Sequence, residues 1–120
     1  MSANSALRIP AGRSSDLASG AVRVVALPPE GRIPREALLL RDANGVVRAY
    51  LNRCQHLPIP LDGGSRRFLA KDGSHLQCGT HGARYRISDG HCVDGPCKGA
   101  VLHALTLEQH GDELTLVLPA

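Results

Sequence analysis

Two short motifs constrain this chain more than anything else in it. Cys54-Gln55-His56 reads C-x-H, Cys78-Gly79-Thr80-His81 reads C-x-x-H, and residues 57–77 separate them. Each motif pairs one thiol with one imidazole. If all four donors serve one centre, the fold must bring two loops that are distant in sequence to a single point. Two chemistries use two Cys and two His. One is a closed, tetrahedral zinc site. The other is a two-iron, two-sulfide cluster in which sulfur holds one iron and nitrogen the other. Zinc sites with this ligand set usually group like ligands, as C-x-x-C followed by paired histidines. Here both motifs are mixed. In a two-iron cluster each iron needs two protein ligands, and two loops that each donate one Cys and one His supply them in symmetric fashion.

The rest of the composition agrees with a small domain that gains stability from a bound centre. The chain has 120 residues, 42% hydrophobic and 21% charged, which suits one soluble domain. Aromatic residues are only 2% and Trp is absent, so the core must be built from Leu, Val, Ala and Ile. The formal net charge is +3. Without a basic run or a set of aromatics for base stacking, nucleic acid is not an expected partner. A basic surface facing an acidic protein is at least as good a reading of that charge. No run of about 20 apolar residues is present, so no membrane span is expected. The first 20 residues lack the apolar stretch of a secretory signal. The expectation is therefore a cytoplasmic protein, where cysteines serve metal or redox chemistry before disulfides.

Along the chain the pattern is one of short strands. Residues 1–20, rich in Ser, Ala and Gly, read as a flexible lead-in, and residues 21–120 as a single domain. Residues 21–27 look like a strand. Residues 27–36, with three prolines and a glycine, read as a loop. Residues 37–51 predict a hairpin turning at Asn44-Gly45. Further hairpins are expected for 66–70 with 74–78, for 83–87 with 91–93, and for 100–109 with 113–118. In the last, Leu114, Leu116 and Leu118 share one face. No long segment has a 3.6-residue apolar period. The fold class is all-β.

Two stretches, "CQH" and "CGTHGARYRISDGHCVDGPC", resemble the Rieske iron–sulfur family, in particular its small ferredoxin-like members. The resemblance spans roughly residues 37–118 and is strongest over 54–97. It implies an antiparallel β-sandwich or barrel with a small cluster-binding subdomain, about residues 52–99. It implies one 2Fe-2S cluster per chain, with Cys54 and Cys78 on the inner iron and His56 and His81 on the outer one. The mixed ligand set has an electrostatic consequence. Four thiolates leave an oxidised two-iron, two-sulfide centre dianionic, whereas two thiolates and two neutral imidazoles leave it neutral. An electron is added more easily to the neutral centre, so Rieske potentials lie at roughly −150 to +300 mV.

Some positions depart from the family pattern. Gly79 stands where Pro is common, and Pro58 where Gly is usual. High-potential members place Ser two residues after the second His and Tyr two further on. Here those positions are Ala83 and Tyr85, which predicts a low to intermediate potential. Tyr85 is a candidate donor to a cluster sulfur, or a packing residue. Pro96 lies in the stretch that resembles the family's proline-containing cover of the cluster. Cys92 and Cys97 flank it, and read as small packing residues or as a candidate disulfide. Arg53, Arg66, Arg67, Lys71, Arg84, Arg86 and Lys98 form a solvated face or a docking patch for an acidic redox partner.

The function these residues predict is one-electron transfer. The chain is expected to be a ferredoxin component that passes electrons from a flavin-dependent reductase to an oxygenase. No second metal triad is apparent and the chain is short for an oxygenase, so it reads as an electron-transfer component of an oxidoreductase system and not as a complete enzyme. Two alternatives stay open. One is a small electron-transfer subunit bound to a reductase large subunit, as in the nitrite reductase small subunit. The other is a zinc-stabilised binding module.

Overall fold

The computed structural model describes residues 7–53, 68–70, 73–77, 82–95 and 99–118. Nine strands lie among them: β1 (Leu7–Arg13), β2 (Arg23–Glu30), β3 (Ile33–Arg41), β4 (Val47–Leu51), β5 (His75–Gln77), β6 (Arg84–Arg86), β7 (Cys92–Asp94), β8 (Thr106–His110) and β9 (Glu113–Leu118). They form three antiparallel sheets, in the orders β1-β9-β8, β2-β3-β4 and β5-β6-β7. The all-β expectation holds.

The middle sheet organises the other two. Its central strand β3 carries Ala37-Leu38-Leu39-Leu40, all buried. An unbroken apolar run in a strand belongs where both faces are covered. Side chains alternate along a strand, so neighbours in this run face opposite ways. Leu38 and Leu40, with Tyr50 of β4, join a core with Leu76, Tyr85 and Cys92 of the small β5-β6-β7 sheet. Ala37 and Leu39, with Ala49 and Leu51, join a second core with Leu114, Leu116 and Leu118 of β9. The predicted apolar face of β9 is thus one wall of that second core.

The β3–β4 hairpin forms where the sequence predicts it, through a turn closed by Asp42. The Gly45 N–H donates to the Asp42 carbonyl at 2.9 Å, and the Asp42 N–H to the Val46 carbonyl at 2.9 Å. Gly45 has φ +79°, a left-handed geometry that glycine adopts without a Cβ penalty. The buried Asp42 carboxylate accepts the N–H groups of Asn44 (2.9 Å) and Val46 (3.0 Å) and the Arg48 guanidinium (3.0 Å). Burial pushes this carboxyl up, but the Val46 N–H, Arg48 and the Asn44 N–H together outweigh it and hold it below the ordinary value.

Two expectations need correction. Residues 27–36 are not a loop: β2 and β3 continue as a hairpin, pairing from Arg23↔Leu39 out to Glu30↔Ile33 with one irregularity between Leu27 and Glu30. Pro28 and Pro29 are tolerated because both lie in that irregularity, on an edge strand, where neither missing N–H breaks a ladder bond. The lead-in reading of residues 1–20 also does not hold from Leu7 onward. There the chain enters β1 and pairs with β9, Leu7↔Leu118 through Arg13↔Glu113. A 3-10 turn comes next, at Ser14–Asp16. Arginines stitch this segment down. Arg41 donates to the carbonyls of Ser14 (2.6 Å) and Leu17 (2.7 Å), and Arg23 to those of Ala11 (2.6 Å) and Arg13 (2.9 Å). Among the described residues, no helix is long and apolar enough to cross a membrane.

Candidate metal centre

The small sheet is built from strands too short to stand alone. It is held by the core beneath it and by residues 100–105, which bond first to β7 and then to β4. The Cys92 N–H donates to the Ala100 carbonyl and the Leu102 N–H to the Gly90 carbonyl, both at 2.8 Å. Further along, the Leu51 N–H donates to the His103 carbonyl and the Leu105 N–H to the Ala49 carbonyl, both at 2.9 Å. The Tyr50 hydroxyl donates to the Ile87 carbonyl at 2.6 Å and ties the β6–β7 turn to the middle sheet. This end of the small sheet is therefore anchored to the body of the domain.

The opposite end is where the motif-bearing stretches depart. Gln77 of β5 pairs with Arg84 of β6, and Arg84 with Asp94 of β7. The Gln77 N–H donates to the Phe68 carbonyl at 2.8 Å. Phe68, Gln77, Arg84 and Asp94 thus form one row. In sequence, residues 54–67 precede this row at Phe68, 78–81 lie between Gln77 and Gly82, and 96–98 come after Gly95. Cys54, His56, Cys78, His81, Pro96 and Cys97 all lie outside the described residues, as do Arg66, Arg67, Lys71 and Lys98. The donor set of two thiols and two imidazoles suits a two-iron cluster, and the described residues beside it in sequence form a row that three stretches outside the described residues join.

The other site residues read from the sequence are described. Tyr85 is fully buried at the centre of the small-sheet core, opposite Leu76 on one side and Cys92 on the other. Cys92 is buried in the same core, and its Sγ donates to the Asp94 carbonyl at 3.2 Å. That is the packing role; the candidate disulfide depends on Cys97, outside the described residues. Ala83 is buried beside Tyr85. Of the basic face, Arg53 donates to Glu30 at 3.4 Å and Arg86 forms a two-pronged pair with Asp89, at 3.0 and 2.6 Å. Arg86, then the His91 N–H, lower the Asp89 carboxyl to about 2. The patch is therefore partly neutralised within the domain.

The profile of the Rieske [2Fe-2S] domain family matches residues 8–110. The chain belongs to that family. Its cofactor is a Rieske-type [2Fe-2S] cluster, and the zinc alternative falls away. The Rieske match begins at Arg8, so it takes in β1, whose alternation of Leu7, Ile9 and Ala11 is interrupted by Pro10 and Gly12.

Oxygenase components are among the known proteins similar to this Rieske domain. Over 62 residues it is 44% identical to the oxygenase component of chloroacetanilide N-alkylformylase from Rhizorhabdus wittichii (strain DC-6 / KACC 16600), covering 52% of this chain and 16% of that protein. The terminal oxygenase of carbazole 1,9a-dioxygenase from Novosphingobium sp. KA1 shares the fold at a TM-score of 0.72 and 23% identity, over 94% of this chain and 30% of that one. The corresponding oxygenase from Nocardioides aromaticivorans IC177 gives 0.70 and 22%, over 94% and 30%. A reduced complex between oxygenase and ferredoxin in carbazole 1,9a-dioxygenase gives 0.70 and 20%, over 91% and 27%. The Rieske domain described here spans less than a third of the length of each of these relatives.

Proposed function

We propose that this Rieske domain is a one-electron carrier between redox proteins, acting as the ferredoxin component between a flavin-dependent reductase and an oxygenase. Cys54 and Cys78 would hold one iron as thiolates, and His56 and His81 would hold the other as neutral imidazoles. When bound, the cluster supplies a one-electron couple at low to intermediate potential. The observation that carries this reading is the row Phe68, Gln77, Arg84 and Asp94, which gives the motif-bearing stretches a common base at one end of the small sheet. Tyr85, buried beneath it, stiffens that base and is a candidate hydrogen-bond donor toward the cluster. Pro96 directly follows Gly95 in sequence, in the stretch that resembles the family's proline-containing cover.

A second reading has a specific observation in its favour. The relatives are oxygenase components several times longer than this chain. On that reading the domain is the electron-entry module of an oxygenase, receiving electrons and passing them within a larger assembly.

One experiment addresses both. Protein purified without air is analysed for iron and acid-labile sulfide, and its visible and EPR spectra are recorded. It is then mixed with a flavin-dependent ferredoxin reductase and a separate Rieske oxygenase. The ferredoxin reading expects two irons and two sulfides per chain, rapid reduction, and reoxidation by the oxygenase. Reduction without reoxidation by any separate oxygenase favours the entry-module reading. Wild-type spectra in both Cys78→Ser and His81→Ala would overturn the ligand assignment.

A further inference from the structure

The β6–β7 ladder has one irregularity, next to the second motif. Tyr85 pairs with Cys92, but Arg84 pairs with Asp94, so Val93 is an extra residue on β7. A bulge of this kind bends its strand and re-aims the residues beyond it. One step beyond Arg84↔Asp94, the ladder brings Gly95 opposite Ala83. A Cβ placed on Gly95 would lie 2.7 Å from the Ala83 Cα, 3.1 Å from the Ala83 N and 3.3 Å from the Gly82 carbonyl oxygen. All three are backbone atoms, which cannot swing aside as a side-chain tip can. Ala83 is fully buried on its far side, so the segment has little room to retreat. The turn itself is held: the Gly95 N–H donates to the Asp94 carboxylate at 2.9 Å, and the Asp94 carbonyl accepts Cys92 Sγ.

We propose that Gly95 is a positioning residue for the cluster. Its missing side chain lets the end of β7 bear directly on Gly82-Ala83, and this contact fixes the two residues immediately after His81. The inference rests on His81 being a ligand, as proposed above. It assigns the close backbone approach at Gly95, and not only the proline after it, a part in holding the outer-iron side of the site.

The structure supplies its own control. Gly95 has φ +95° and Gly99 has φ +96°, yet among the described residues a Cβ on Gly99 meets nothing within 4 Å. Gly95→Ala and Gly99→Ala therefore place Ala at nearly the same positive φ, and only the first adds a collision with described backbone. Both are made as the holoprotein without air, and far-UV circular dichroism confirms folding. Gly95→Ala is expected to change the g values of the reduced cluster and shift its midpoint potential. It is also expected to release iron to a chelator about 10–100-fold faster, the usual scale for disturbing residues that support a metal ligand. Gly99→Ala is expected to keep the wild-type g values and potential. Wild-type g values and potential in Gly95→Ala, or equal changes in both variants, would overturn the proposal. If Gly95→Ala does not accumulate folded, Ala83→Gly carries the test: it keeps the backbone atoms that Gly95 bears on but removes the buried methyl behind them, so that this backbone can give way without an added atom. A changed g tensor supports the role and an unchanged one removes it. His81→Ala in the same series separates the two claims. A wild-type signal there removes the ligand assignment, whereas a lost signal there beside an unchanged Gly95→Ala removes only the role of Gly95.

Discussion

Leu38 and Leu39 are adjacent, identical in type and both fully buried, yet they support different halves of the molecule. Replacing each by Ala separates stability from support of the cluster. Each change deletes three carbons, about 2.4 kcal/mol at about 0.8 kcal/mol per buried methylene. The cavity left behind raises the cost to about 2.7–5 kcal/mol. In a domain of this size that lowers Tm by about 10–20 °C. Urea unfolding of the holoprotein, followed by circular dichroism without air, measures this for both. The variants diverge in cluster retention. Leu38 packs in the core with Leu76, Ala83 and Tyr85, which lie under the small sheet, whereas Leu39 packs toward β9. At equal loss of global stability, Leu38→Ala should release iron to a chelator several-fold faster than Leu39→Ala under conditions where both are folded. Equal release rates would refute the argument that the two faces of β3 serve separate tasks. So would a stability loss below about 1 kcal/mol in either variant, since a fully buried leucine cannot be removed that cheaply.

Asp42→Asn should lower stability at neutral pH by about 1–3 kcal/mol, because a charged acceptor of three hydrogen bonds becomes a neutral one. The folded-state pKa of Asp42 is depressed, so its stabilisation is present above the unfolded value and is lost as pH falls through the folded one. The gap between wild type and variant should therefore narrow in acid, and urea midpoints that keep a constant gap down to pH 3 would contradict this. The Asp89 carboxyl should titrate at about 2 by NMR, and Arg86→Ala should raise it toward the ordinary aspartate range. Electron transfer to an acidic partner should slow as salt rises. A flat response in stopped-flow measurements would show that the basic face does not steer docking.

Much of this protein could be read from residue order alone, and for a local reason. Ligand chemistry depends on which donors are present and how they are spaced. Hairpin turns depend on a few residues such as Asn44-Gly45, and a half-buried strand such as β9 shows itself by alternation. Those features set the cluster type, the all-β class and several of the strand pairs. What only the tertiary structure decided depends on neighbours far apart in the chain. Residues 27–36 contain prolines that argue for a loop, and become strand because Pro28 and Pro29 fall in a register break of edge strand β2, where neither lost N–H breaks a ladder bond. Residues 7–13 alternate Leu7, Ile9 and Ala11 with polar or breaking residues, but Pro10 and Gly12 weaken that strand signal; the segment becomes strand because β9 offers an open ladder, Ile9 and Ala11 reach the second core, and distant arginines bind carbonyls of this segment and the turn beyond it. The contact of Gly95 with Ala83 depends on a single extra residue in β7 and on the register it imposes. Sequence spacing carries no record of register, because register is settled by which side chains find a common core.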